Sequence, residues 1–376
     1  MKFNWFKTTY GFLFFMMSLL VIQYGAQVHA GGHPWKTGDW LINYSDGFIR
    51  RGLSGSLTLI SAQKLSIDLK WTTFALQAGI FSILITFILR EFWKFKETPK
   101  SIFILLSPAF IFMFWINDPS VAFRKEIIIY LSLIFTLKAF DEKNVRESWY
   151  YLGLVTFLFS ALSHEITIFF LPFFIFPIFN HATNKSFHHI NNIKYYFPFV
   201  ASSFLILFFS IVYKGSNQSA SLICSSLKPY EFNANICDGA IEWLRYDARF
   251  GLDRVIELGA GVWFNYIFLA TLSLFPLIIL RADIHFNILM AVGTIFMLPL
   301  FLIAVDYGRF ISMIYTSSVL TAIWIRPEII KHGWRLTGLF GVAYCFLWAL
   351  PNCCKNVPGK GLLGNGLISI SSIFLQ

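Results

Sequence analysis

The chain of 376 residues is 56% hydrophobic and 19% aromatic but only 13% charged, with a mean hydropathy of +0.63. Soluble domains carry about 25% charged residues, so repeated apolar runs near 20 residues exclude an ordinary soluble enzyme and predict an all-α polytopic membrane protein. The net charge of +10 is then no nucleic-acid footprint, because Lys and Arg also hold loops on the cytoplasmic side of a membrane.

Lys2 and Lys7 precede an apolar run from about Tyr10 to Ala26, and Val28-His29-Ala30 after it fits a signal-peptidase site. The run is long and aromatic for a signal peptide and many spans follow. An uncleaved first helix with a cytoplasmic amino end is therefore expected. Further spans are expected at 72–89, 101–117, 126–140, 149–163, 166–180, 195–213, 257–280, 284–304, 310–325 and 336–350. With the first, that is about eleven spans in a single integral domain, 1–376, without the internal repeat of many transporters.

This order places 90–100, 138–148, 181–194, 281–283 and 326–335 in the cytoplasm. Together with the amino end, these segments hold about half of the 30 Lys and Arg in about half as many residues as the outer loops, the bias expected of cytoplasmic loops. The outer side receives 28–71, 118–125, 163–165, 214–256 and 305–309. Loop 214–256 is rich in aromatic and charged residues, which suits a lid. Its Cys224 and Cys237 either pair in an oxidising periplasm or stay free.

The densest chemistry lies in 38–55, where Asp39 and Asp46 precede Arg50 and Arg51, with Gly47, Gly52 and Gly55 among them. Glycines let backbone approach a ligand closely. A plainer reading is an interfacial loop whose arginines meet lipid phosphates while Trp40 and Tyr44 anchor among the headgroups. Arg124-Lys125-Glu126, His164-Glu165 and Asp306-Tyr307-Gly308-Arg309 stand at other span ends, and the topology puts all of them on the outer face. Charged groups at that depth pair or face an internal cavity. The simplest pairing is local, Asp306 with Arg309 and Glu126 with Lys125 or Arg124.

Arg50, Arg51, Arg124 and Arg309 offer planar forks for phosphate, and Lys125 adds a point charge. Asp46 is the candidate general base. Glu165 and His164 are the other catalytic candidates, and with Asp39, Glu126 and Asp306 they can orient sugar hydroxyls or hold a divalent cation. No P-loop or HExxH motif is present. A reaction outside the cell has no ATP and needs a substrate that arrives activated, such as a lipid-linked pyrophosphate.

An acidic first outer loop on a many-helix scaffold resembles the GT-C class of polyprenyl-dependent glycosyltransferases. The run Asp46-Gly-Phe-Ile-Arg-Arg-Gly52, with Arg124-Lys-Glu126, His164-Glu165 and Asp306-Tyr-Gly-Arg309, also resembles bacterial surface-polysaccharide membrane proteins, including O-antigen polymerases of the Wzy type. The resemblance implies an inner-membrane enzyme that polymerises polyprenyl-pyrophosphate-linked oligosaccharide into O-antigen or capsule, among membrane lipids and beside a chain-length regulator. The sequence departs from those families in showing no large soluble carboxyl-terminal domain and in a short central outer loop. Rival readings are a transferase adding a single sugar and a flippase for the same lipid-linked sugars. Charges gathered at one face favour an enzyme over a transporter, whose charges belong near mid-membrane.

Overall fold

The computed structural model describes residues 5–95, 99–141, 144–183, 193–279, 284–325, 339–354 and 357–364. Nearly every ordered element is helical. In chain order the helices are α1 (Trp5–His29), α2 (Lys36–Trp40), α3 (Gly52–Leu65), α4 (Leu69–Trp93), α5 (Pro99–Leu105), α6 (Ile111–Asn117), α7 (Glu126–Ala139) and α8 (Glu147–Ser163). A 3₁₀ turn, Glu165–Phe170, leads into α9 (Leu171–Thr183), followed by α10 (Ile193–Val212), α11 (Asn217–Leu227), α12 (Ala248–Glu257), α13 (Gly259–Ile279), α14 (Ile284–Ile303), α15 (Tyr307–Ile325) and α16 (Leu339–Phe346). The two described strands, Trp348–Ala349 and Gly359–Lys360, form one short antiparallel pair.

Five described helices are long and apolar enough to cross a bilayer: Trp5–His29, Leu69–Trp93, Ile193–Val212, Gly259–Leu277 and Phe286–Ile303. That supports a membrane protein and corrects the expected count of about eleven spans. The differences have local causes. The expected span 101–117 is broken between α5 and α6 at Ser107-Pro108, since Pro has no N–H and pushes its predecessor out of helical geometry. Span 166–180 begins as a 3₁₀ turn, and α7 stops after 14 residues. The expected cytoplasmic segments 281–283 and 326–335, and all but the ends of 181–194, lie outside the described residues.

The chain folds into two compact units, one made of Met1–Leu20, Ile88–Val121 and Gly251–Gln376, the other of Val21–Phe87 and Ala122–Phe250. In the first unit α15 is buried through most of its length and packs against α6, α13 and α14. In the second, α8 packs closely on α7 and also touches α3 and α10. The second unit has an apolar core in which Leu41, Ile42 and Ile49 meet Ala220, Ile223, Ile236 and Leu244. That core holds residues 220–244 of the loop down as a cap on the segment before α3. A disulfide joins Cys224 and Cys237 within the cap, and Asn233 bonds back to Gly31 and Gly32.

Candidate functional site

The segment before α3 runs under the start of that helix, and two glycines allow it. A Cβ on Gly55 would run into the Ile42 carbonyl, and one on Gly52 into the Tyr44 ring. Arg51, the residue just before the helix, takes the left-handed conformation at φ 68°, which non-glycine residues rarely adopt. The consequence is that Arg50 and Arg51 stand together at the α3 amino end.

A second strained corner faces them. Phe123 also has positive φ, 63°, and its carbonyl accepts hydrogen bonds from Trp40 Nε1 at 2.9 Å and Gln77 Nε2 at 3.0 Å. The Phe123 ring stacks on Tyr24 and Phe81. Tyr24 donates to Gln77 Oε1, and Gln77 donates as well to the Lys36 carbonyl. This buried network sets the corner from which Arg124, Lys125 and Glu126 enter α7. Trp40 is wholly buried here, so the headgroup anchor expected of it is not its role.

The charged groups then meet across long sequence separations. Arg51 Nε donates to both Glu165 oxygens, at 2.9 and 2.8 Å, and its Nη2 donates to Oε1 at 2.6 Å. Arg50 Nη1 lies 3.6 Å from the same carboxylate. His164 bridges two acids, with Nδ1 3.7 Å from Glu165 and Nε2 3.6 Å from Glu126. Lys125 Nζ lies 3.6 Å from Asp39 and donates to the Arg51 carbonyl at 3.1 Å. The Arg124 guanidinium sits 5.6 Å from the centre of the Trp35 ring. Asp39, Arg50, Arg51, Lys125, Glu126, His164 and Glu165 therefore lie in one connected cluster, and Arg51–Glu165, Lys125–Asp39 and His164–Glu126 join residues far apart in sequence.

Burial and charge set the protonation states. Burial alone would raise Glu165, but Arg51, His164 and Arg50 hold it well below the usual carboxylate range. Burial works against the Arg51 cation, yet Glu165 and the nearby Asp39 and Glu126 raise it. For Arg50 burial wins and lowers it, with Glu165 opposing. Burial pushes the Lys125 ammonium down to about 8 against the pull of Asp39. Beside the site, burial together with Lys36 and Arg124 brings His33 down to about 4. Its Nδ1 accepts from the backbone N–H groups of Trp35 and Lys36.

Asp46 stands apart from this network. It accepts a hydrogen bond from Ser219 Oγ of α11 at 2.7 Å, and no ion pair among the described residues involves it. Asp306 and Arg309 belong to the other unit and pair with each other at 2.7 Å, the local pairing the sequence suggested. Among the described residues no three His, Cys, Asp or Glu side chains converge as metal ligands.

Chemically, three cations (Arg50, Arg51, Lys125) gather with three carboxylates (Asp39, Glu126, Glu165), and Arg124 stands against the Trp35 ring. The arginine pair keeps contact with solvent, with side chains 23% and 24% exposed. The Nε of Arg50 has no hydrogen-bond partner among the described residues. Such a surface suits a small dianion or a pyrophosphate. No family of known proteins, no curated protein and no solved structure matches the chain.

Gln77, Trp40 and Tyr24 are the structural supports that sequence reasoning missed. One signal was available: a glutamine in the middle of an apolar span is costly unless its amide is bonded.

Proposed function

We propose that the chain is a glycosyltransferase of the bacterial inner membrane, acting at its periplasmic face on polyprenyl-pyrophosphate-linked sugars to polymerise O-antigen or capsule repeat units. The observation that supports this most is the Arg50–Arg51 pair, anchored from behind by Glu165 and still open to solvent. An arginine fork held in place before its ligand arrives loses less freedom on binding.

In this reading Arg50, Arg51, Arg124 and Lys125 receive the pyrophosphate as it leaves the sugar. The bond between the anomeric carbon and pyrophosphate oxygen breaks, and the acceptor hydroxyl oxygen forms the new bond. Asp46, a carboxylate outside the ion-pair network, takes the acceptor proton. Glu165, committed to Arg51, orients the fork and is no base. His164 ties that carboxylate to Glu126.

The test is purified protein in lipid nanodiscs with a synthetic polyprenyl-pyrophosphate oligosaccharide. Ladders of extended lipid-linked product are the expected result. A single added unit would support the one-sugar transferase instead, and substrate recovered unchanged with several repeat units and acceptors would overturn the enzyme reading.

A further inference from the structure

The cap of the second unit carries four aromatic rings that stand outside its fully buried core. Ile241 and Leu244 sink into that core, and the 3₁₀ turn Glu242–Arg245 leaves Trp243 between them only half-buried. Trp35, also half-buried, is brought beside it because the cap lies on Pro34. The Ala240 N–H donates to the Pro34 carbonyl at 3.3 Å, and a Cβ on Gly239 would run into the same carbonyl. The ring centre of Trp243 is 6.0 Å from that of Trp35, 5.5 Å from Phe250 and 6.1 Å from Tyr246. The planes cross at 55°, 68° and 70°, so these rings are not stacked flat and do not use up one another's faces. Tyr246 lies flat on Phe250 at 4.1 Å and is 37% exposed.

Polar groups rim the row. Glu242 and Arg245 pair at 2.8 Å and stay partly open to solvent, and Asp247 and Arg249 are exposed. At the other end the Arg124 guanidinium lies 5.6 Å from the centre of the Trp35 ring, and the next residue, Lys125, belongs to the charged cluster. The aromatic row is therefore continuous with the site that holds Arg50 and Arg51. A patch turned to acyl chains would not crowd Glu242, Arg245, Asp247 and Arg249 among its rings. A sugar fits both features. One face of a pyranose presents C–H groups that lie against an aromatic ring, and its rim presents hydroxyls that donate and accept.

We infer that Trp35, Trp243 and Tyr246 form a saccharide subsite for the oligosaccharide whose pyrophosphate is held at the arginines. This rests on the reading of Arg50 and Arg51 as a pyrophosphate site, and the test separates the two. Two probes are bound to purified protein in nanodiscs: lipid-linked oligosaccharide extracted from cells lacking this gene, and undecaprenyl pyrophosphate without sugar. Trp243→Ala and Tyr246→Ala should each weaken the sugar-bearing probe about three- to tenfold, the worth of one aromatic contact, and leave the bare probe unchanged. Trp243→Phe, which keeps a ring, should retain most of the binding. Tyr246 stands at the exposed edge, so its variant decides the matter even where loss of Trp243 unfolds the cap. Equal weakening of both probes marks mere support of the charged cluster and overturns the subsite. Unchanged binding of both marks a belt of interfacial aromatics and overturns it as well. Wild-type protein that binds neither probe overturns the pyrophosphate reading, and the subsite with it.

Discussion

Glu165 receives three hydrogen bonds from Arg51 and faces Arg50, so its replacement tests the site most directly. Glu165→Gln keeps the shape but cannot neutralise the pair. It should lower stability by roughly 1.5–3 kcal/mol, the usual worth of hydrogen bonds to charged groups, and weaken binding of inorganic pyrophosphate. Arg51→Lys should also weaken pyrophosphate binding, because lysine keeps the charge and loses the fork; a headgroup anchor would tolerate lysine. Asp46→Asn should cut turnover by about 10²-fold or more with little change in pyrophosphate binding, a combination that loss of fold cannot produce. Lys125 gives a pH signature. Its folded value of about 8 lies below the ordinary 10.5, so the unfolded chain holds more protons between those values and stability rises with pH across that window. Over the same window the site loses a positive charge, so anion binding should weaken. Lys125→Met should abolish the stability rise, read by thermal unfolding at several pH values, and Lys125→Arg should keep anion binding intact to higher pH.

Helices in this chain are placed by contacts that single glycines and one disulfide make possible. Gly55 lets α3 lie against the Ile42 carbonyl, and Gly55→Ala forces the two apart. The expected cost is about 1–3 kcal/mol, as for overpacking elsewhere, together with lost pyrophosphate binding because Arg51 leads α3. Gly79→Ala, at a position where nothing meets the new methyl, is the matched control. The Cys224–Cys237 bond spans 13 residues of the cap. Closing a loop of that size stabilises by about 3 kcal/mol on the chain-entropy account, so replacing both by Ser should lower the midpoint of unfolding. Product length should be unchanged if the cap is only a cap.

At the scale of the whole chain, membrane sidedness follows from contact. Arg51 touches Glu165, and Lys125 touches both Asp39 and the Arg51 backbone, so these loops share one side of the membrane. Cysteines placed at 45, 164 and 235 should all label with an impermeant reagent from the periplasm, and one at 188 should not. Composition and apolar runs by themselves determined that the chain is helical with segments long and apolar enough to cross a bilayer, because length and hydropathy can be counted in the sequence. They also located the charged clusters, since a charge at a span end stands out against apolar neighbours. Tertiary structure decided which charge meets which. Adjacent residues at a helix start point about 100° apart, so Lys125 and Glu126 turn to Asp39 and His164 rather than to each other. Asp306 and Arg309, three residues apart on one face, do pair locally, and that pair was legible in the sequence. The Arg51–Glu165 contact, separated by 114 positions, was not, because nothing in a linear sequence records which helix ends the packing of α3 on α8 brings together.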